Sequence, residues 1–177
     1  MRRDQLEHLI RAAGDLLGED NIIVIGSQAI LASVTRPTAD ALVRSMEADL
    51  LPFDDPDETK ADLIDGVLGA GSHFDETHGI HGDGVSANTP TLPTGWEDRL
   101  IDICNANTRG VHGWCLEPHD LVISKMAAGR AKDIEFCEAA VRQGLVRLEV
   151  LRDRRAMTDL TASQREDISI WISGMSR

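Results

Sequence analysis

The chain has 177 residues, of which 42% are hydrophobic, and its formal net charge at pH 7 is −12. This length predicts one domain with a buried core, and the negative charge disfavours broad, nonspecific binding to nucleic acid. No stretch of eighteen apolar residues occurs, and Met1-Arg2-Arg3-Asp4 leads into an amphipathic pattern, so we predict a cytoplasmic protein without membrane contact.

The first segment predicts a helix followed by a buried strand. Asp4 is a candidate N-cap, the apolar stripe extends to Leu17, and Gly18 is a plausible end of the helix. Residues 22–25 are all apolar, which is typical of a strand that is buried on both faces.

A glycine-serine turn follows this strand. Gly26 and Ser27 precede a predicted helix over residues 28–33, and the free N–H groups at a helix start favour an anion. Glycine also permits another group to approach the backbone closely. Alternatively, Gly26 serves the turn alone.

A second strand carries two acidic residues, Glu47 and Asp49. Side chains two residues apart on a strand point the same way, about 7 Å from each other. Because carboxylates this close repel each other, a divalent cation such as Mg²⁺ would stabilise the pair. The alternative is that both acids lie on the solvated face of an edge strand.

These two features together resemble the nucleotidyltransferase superfamily, which has the polymerase-beta-like fold. The segment Arg44-Ser45-Met46-Glu47-Ala48-Asp49 is similar to the motif of AbiEii/MenT-type toxins and of a small uncharacterised bacterial group of nucleotidyltransferase-like proteins. The resemblance implies that Gly26 and Ser27 hold the triphosphate of an NTP, that Ser45 lies near phosphate or metal, and that Glu47 and Asp49 bind Mg²⁺.

Glu47 departs from the superfamily pattern, in which Asp is more usual at this position. The extra methylene moves the metal away from the strand, and Mg²⁺ tolerates poor geometry badly. This departure puts activity in question or shifts the metal preference toward Mn²⁺.

The middle of the chain adds a third acidic candidate. Residues 54–56 predict the start of a helix that ends at residues 69–72, and a strand over residues 79–85 would place His81 and Asp83 on one face. The superfamily resemblance implies that Asp83 is a third metal ligand that also accepts the proton of the attacking hydroxyl. Alternatively, His73, His78, His81 and Asp83 form a transition-metal site in a loop.

The segment after residue 90 adds basic residues to the candidate site. After a turn at residues 91–96, strands are predicted over residues 99–104 and 113–116, and the segments LPTGW and CLEPHDLVISKMAAGRAKD match the same bacterial group. The resemblance implies that Lys125 and Arg130 contact the nucleotide and that Asp133 is a supporting or active-site carboxylate. Alternatively, Lys125 forms a salt bridge between helices with Asp133 or Glu117.

The remaining chain is predicted to be helical. Residues 40–83 contain twelve acids and two basic residues, whereas residues 125–155 contain eight basic residues and five acids. We predict an α/β (α+β) nucleotidyltransferase fold with a small mixed sheet flanked by helices: residues 1–116 form the core, and residues 117–177 form a helical part packed on it.

The leading functional hypothesis is a metal-dependent nucleotidyltransferase that moves an NMP from an NTP to an acceptor hydroxyl. Its toxin-like resemblance implies a nucleic-acid acceptor such as the 3′ end of a tRNA, and an antitoxin protein as partner. The alternative from another class is a non-catalytic nucleotide-binding or regulatory module, and a third is a histidine-based metal protein.

Overall fold

The computed structural model describes residues 1–34 and 39–176. Within these residues the α-helices are α1 (Arg3–Leu17), α2 (Asp40–Val43), α3 (Thr59–Leu68), α4 (His73–His78), α5 (Pro118–Ala128), α6 (Ala131–Arg142), α7 (Leu148–Ala156) and α8 (Ala162–Met175). The strands are β1 (Asn21–Val24), β2 (Glu47–Pro52), β3 (His81–Gly84), β4 (Ile101–Ile103) and β5 (His112–Cys115). Two 3₁₀ helices cover Ser27–Ala32 and Trp96–Arg99.

The strands form one mixed sheet in the order β3-β2-β1-β5-β4. β1 is parallel to β5 and antiparallel to β2, whereas β2 and β3 are parallel. The central strand β1 is buried along Ile22, Ile23 and Val24, as its apolar sequence predicts. The prediction of a small mixed sheet flanked by helices, followed by a helical C-terminal part, is confirmed.

Helices α1 and α3 cover one face of the sheet. Gly113 on β5 lies against Ile10 of α1, where an added Cβ would come within 2.9 Å of Cγ1. Gly82 on β3 lies against Leu9 and Leu50, and Gly84 lies against the backbone of Ala61 in α3. The absence of side chains at these glycines lets the helices approach the sheet closely. The polar side chains of β2 and β3 therefore lie on the opposite face.

A buried carboxylate connects the C-terminal helices to the segment before β4. Asp120 on α5 is fully buried, and its Oδ2 atom accepts a hydrogen bond from Arg99 Nε at 2.7 Å. Arg154 Nε on α7 lies 2.8 Å from Asp120 Oδ1, although the two groups are not aligned for a hydrogen bond. Nearby, the N–H of Thr94 donates to the carbonyl of Met157 at 2.9 Å. These contacts fix the position of α5 relative to the sheet.

Two predicted helix starts are wrong. The N-cap of α1 is Arg2, whose backbone N–H donates to the side chain of Gln5, while Asp4 lies in the first turn and pairs with the Arg2 guanidinium. Helix α3 begins at Thr59 rather than at residues 54–56. The Asp55 carboxylate accepts backbone hydrogen bonds from residues 60 and 61, so this acid caps the helix from the preceding turn.

Two segments interpreted as loops contain short helices. Residues 73–78 form α4, in which the Ser72 hydroxyl accepts a hydrogen bond from the N–H of Asp75. Residues 40–43, whose polar surroundings predict a loop that extends to Arg44, form α2. The proline of Arg36-Pro37-Thr38 predicts a break in the helical pattern, but this segment lies outside the described residues. The helix predicted over residues 28–33 is of the 3₁₀ type. Across the described ranges, none of the helices has the length and apolar character required to cross a membrane.

Candidate functional site

The open face of the sheet carries the acidic candidates. Alternation along β2 places Glu47 and Asp49 on the same face, and the parallel register pairs Glu47 with His81 and Asp49 with Asp83. Adjacent strands lie about 4.8 Å apart, so Asp49 and Asp83 are immediate neighbours across the strands. The sheet thus brings together three carboxylates from two separate segments, an arrangement that the superfamily resemblance implied.

These carboxylates influence one another electrostatically. Burial raises the pKa of Asp49, and the negative charges of Glu47 and Asp83 raise it further, whereas the Lys125 ammonium opposes them. Burial and the charge of Glu47 likewise raise the pKa of Asp83 above its ordinary value. This part of the sheet is therefore a region of negative potential, which favours a cation.

The glycine turn lies directly against Asp49. The N–H of Ile25 donates to the carbonyl of Asp49 at 3.1 Å, and the next residue, Gly26, caps the 3₁₀ helix that begins at Ser27. An added Cβ on Gly26 would overlap Asp49 Oδ2 and lie 2.6 Å from its Cγ. The close approach expected of this glycine is thus to the Asp49 carboxylate.

We expect Gly26→Ala to lower the free energy of unfolding by about 1 kcal/mol, the lower end for overpacking, because the carboxylate of Asp49 can rotate away. Thermal unfolding followed by circular dichroism measures this change. Gly66→Ala is the matched control, because an added Cβ at this glycine of α3 meets no atom within 4 Å. Alanine favours the helix, so the control should be unchanged or more stable. A Gly26→Ala protein as stable as wild type would contradict the tight contact.

Helices α5 and α6 provide a basic wall opposite the carboxylates. Lys125 Nζ lies 3.1 Å from Asp133 Oδ1, and Arg130 Nε lies 2.6 Å from Asp133 Oδ2. Lys125 Nζ also lies 4.8 Å from the ring centroid of Phe136, a cation–π distance. The salt bridge that sequence reasoning offered as the alternative for Lys125 is therefore present, and it joins Lys125 to Asp133 rather than to Glu117.

Asp133 is positioned to hold these cations in place. Its side chain is only 1% exposed. Burial acts to raise the pKa of Asp133, but the contacts with Arg130 and Lys125 lower it more, so the pKa lies below its ordinary value. Because both carboxylate oxygens contact cations, Asp133 orients Lys125 and Arg130.

A cavity of about 280 Å³, here called the charged cavity, lies between the carboxylates and the basic wall. The residues that line it include seven of the predicted site residues, namely Ser27, Ser45, Glu47, Asp49, Lys125, Arg130 and Asp133. Asp83 lies outside the charged cavity and lines an adjoining cavity of about 410 Å³ together with Asp49. Asp49 therefore separates the predicted residues of the charged cavity from Asp83 in the adjoining cavity.

Sequence reasoning missed five residues that line the charged cavity, namely Ala41, Arg44, Lys132, Glu135 and Phe136. Arg44 Nη1, at the end of α2, donates to Glu135 Oε2 on α6 at 3.2 Å. Arg44 was visible as part of the motif that precedes Glu47, but its partner Glu135 is 91 residues away. No local pattern indicates that pairing.

The carboxylates fit a cation that binds together with substrate. Among residues 1–34 and 39–176, no three His, Cys, Asp or Glu side chains form a group that would hold a metal ion. Mg²⁺ is commonly bound by one or two carboxylates plus substrate phosphates and water. Glu47 and Asp49 supply such carboxylates at the charged cavity.

The histidines do not form the transition-metal site that was the alternative prediction. His78 packs against His8 and Phe74, with ring centroids 4.5 and 4.6 Å away. His81 Nδ1 lies 3.3 Å from Asp75 Oδ1 on α4. These side chains have separate structural contacts.

Comparison with known proteins agrees with the geometry. A model of a protein family described as "Nucleotidyltransferase of unknown function (DUF6036)" matches residues 4–171. No curated protein matches the chain significantly, and neither does any solved structure. The match covers the sheet, the glycine turn and both helices of the basic wall, so the chain belongs to this family of nucleotidyltransferases.

Proposed function

We propose that the protein transfers a nucleoside monophosphate from an NTP to an acceptor hydroxyl and uses Mg²⁺ or Mn²⁺. The observation that carries this proposal is the charged cavity, in which Glu47 and Asp49 lie opposite Lys125 and Arg130 and which Ser27 of the glycine turn also lines. Carboxylates suit a divalent cation, and the basic side chains suit the phosphates. The description of the family supports this reaction class.

The proposed reaction is a displacement at the α-phosphorus. The acceptor oxygen forms a bond to this phosphorus, and the bond to the oxygen that bridges the α- and β-phosphorus atoms breaks. Diphosphate leaves with that electron pair, while the hydroxyl proton passes to Asp83. Burial and the charge of Glu47 raise the pKa of Asp83, which makes it a better proton acceptor.

The basic wall has a matching role in this reaction. Lys125 and Arg130 bind phosphate oxygens and stabilise the charge of the leaving diphosphate, and Asp133 holds both side chains in position. A divalent cation bound by Glu47 and Asp49 would stabilise the entering and leaving oxygens.

For the acceptor, we propose a nucleic-acid hydroxyl such as the 3′ end of a tRNA, with the protein as the toxin of a toxin-antitoxin pair in the cytoplasm. The similarity of residues 44–49 to toxin nucleotidyltransferases supports this part. The excess of basic residues in segment 125–155 offers a local surface for a phosphate backbone on an otherwise acidic protein. An antitoxin protein would then be the natural partner.

Label transfer tests the enzyme. Each α-³²P-labelled NTP is incubated with the protein, Mg²⁺ or Mn²⁺, and total tRNA. We expect transfer by wild type and by Asp57→Asn, which changes an exposed acid in the turn before α3. Glu47→Gln should lower the rate about 100-fold, as expected for loss of one preorganised electrostatic contact in an active site.

A second candidate is a nucleotide-binding or regulatory module without catalysis, favoured by Glu47 in the position where the superfamily more often has Asp. Equilibrium binding of NTP, measured beside label transfer, distinguishes the enzyme from the module. Binding of NTP without transfer in either metal would favour the module. Transfer that Glu47→Gln does not reduce would contradict the proposed site.

A further inference from the structure

Three cavities meet at Asp49. The charged cavity and the cavity next to Asp83 are two of them, and the third has a volume of about 190 Å³. Three hydroxyl side chains, Thr89, Thr91 and Ser124, line the third cavity, which we call the hydroxyl cavity. Because it shares Asp49, Lys125 and Arg130 with the charged cavity, one ligand can occupy both.

One face of α5 and the loop after β3 form the hydroxyl cavity. Leu121, Ser124, Lys125 and Ala128 recur at positions i, i+3, i+4 and i+7, so they share one face of the helix. Loop residues 89–91 and Ile25 of the sheet also line it. Lys125 therefore stands where the two cavities join, and the other members of this helix face belong to the hydroxyl cavity.

The two cavities differ in chemistry. Among the described residues, the ionisable groups of the hydroxyl cavity are Asp49, Lys125 and Arg130, all shared with the charged cavity. Its other side chains are apolar or carry a hydroxyl group. Such a lining favours an uncharged ligand with apolar faces and polar edges, because burial of its faces is favourable and each hydroxyl can donate and accept hydrogen bonds.

An NTP has two parts whose chemistry matches the two cavities. Its triphosphate is a polyanion, and its nucleoside is an uncharged group with apolar ring faces and polar edges. We propose that the hydroxyl cavity is the nucleoside subsite of the NTP, with Thr89, Thr91 and Ser124 as its polar contacts. This proposal rests on the proposed function and adds the location of the nucleoside.

This assignment gives the triphosphate, the nucleoside and the acceptor separate positions around Asp49. The triphosphate lies in the charged cavity and the nucleoside in the hydroxyl cavity, so the α-phosphate that joins them lies beside Asp49 and Lys125. The cavity next to Asp83 is then left for the acceptor. Had the acceptor occupied the hydroxyl cavity instead, filling that cavity would leave NTP affinity unchanged.

Filling each cavity in turn tests the proposal. Ser124→Leu adds volume to the hydroxyl cavity, and Ala41→Leu adds volume to the charged cavity. Isothermal titration calorimetry with Mn²⁺ measures the Kd of each protein for NTP and for inorganic tripolyphosphate. We expect Ser124→Leu to raise the Kd for NTP at least about tenfold and to leave the Kd for tripolyphosphate unchanged. Ala41→Leu should raise both.

A second variant removes polarity without filling the cavity. Thr91→Val has nearly the shape of threonine and should raise the Kd for NTP alone, by about fivefold, the loss of roughly one net hydrogen bond. Circular dichroism establishes that each variant is folded. This variant keeps the test valid if leucine at position 124 prevents folding.

The possible outcomes distinguish failure of the nucleoside subsite from failure of the proposed function. If Ser124→Leu and Thr91→Val leave NTP affinity unchanged, or weaken NTP and tripolyphosphate equally, the nucleoside lies elsewhere. A wild type that binds NTP no more tightly than tripolyphosphate would contradict the subsite alone. A wild type that binds neither would overturn the proposed function and, with it, the subsite.

Discussion

Asp49→Asn should remove nucleotidyl transfer and, without a divalent cation, make the protein more stable. Asparagine keeps the shape that fits against Gly26 but removes the charge. We expect a rate loss of about 10³-fold, the upper range for removal of one electrostatic contact in an active site. We also expect a gain of about 1 kcal/mol in the free energy of unfolding, which for a protein of this size raises the Tm by about 2–4 °C.

The sign of the stability change follows from the pKa. Burial, Glu47 and Asp83 raise the pKa of Asp49 in the folded protein. An acid whose folded pKa exceeds its unfolded pKa destabilises the protein when ionised, and protonation relieves this cost as the pH falls through the folded pKa. The stabilising effect of Asp49→Asn should therefore be largest near neutral pH and shrink in acid.

Thermal unfolding in EDTA and in Mn²⁺ measures both effects. In EDTA the variant should unfold at a higher temperature than wild type, whereas Mn²⁺ should stabilise only wild type, because a ligand that binds the folded state stabilises it. Asp57→Asn, at the exposed turn, should behave like wild type in both media. A variant that is less stable than wild type in EDTA would contradict the repulsion inferred for this site.

Asp120→Asn should cause the largest loss of stability. The carboxylate is fully buried between Arg99 and Arg154, and removing one partner of a buried ion pair typically costs 3–5 kcal/mol. Burial raises the pKa of Asp120 in spite of the two guanidinium groups, so removal of the charge relieves part of the cost of burying it. Loss of the partner of two guanidinium groups that are each only 20% exposed outweighs this relief, and we expect about 3 kcal/mol, the lower end of the range. This corresponds to a fall of about 10 °C in Tm.

Urea and thermal unfolding test the role of Asp120. The matched control is Asp153→Asn, which changes an exposed acid on α7 and should move the Tm by no more than about 1 °C. Because α5 also carries Lys125, a folded Asp120→Asn protein should bind tripolyphosphate more weakly than wild type. A Tm within 2 °C of wild type would mean that the network does not hold α5 in place.

The local patterns of the chain were sufficient for most elements of the site. Two-residue alternation placed Glu47 and Asp49 on one face of β2, and the apolar strand that ends before Gly26 placed a turn at Ser27. The helical part predicted for residues 117–177 includes Lys125, which lies on α5. These inferences succeeded because the backbone geometry of a strand or helix is repeated every few residues, so a short segment contains the information.

Local patterns predicted helix ends less well, because several side chains can form hydrogen bonds with the same backbone N–H groups. Asp4 and residues 54–56 resemble helix starts. The N–H group of the α1 N-cap is instead satisfied by Gln5, and Asp55 caps α3 from the turn before it rather than from the first helical turn. The glycines around α4 suggested a loop, although Ser72 caps a short helix there. Several residues near a helix end can provide the same hydrogen bond, so the sequence alone leaves the choice open.

By itself, then, the sequence determined which segments carry the charged groups and which way those groups point along each element. Only the tertiary structure decided that Asp49 pairs with Asp83, that Arg44 meets Glu135, and that the hydroxyl cavity opens beside Lys125. The physical reason is that strand register and helix docking are set by the packing of the whole core. Contacts between distant segments therefore have no signature in the residues that make them.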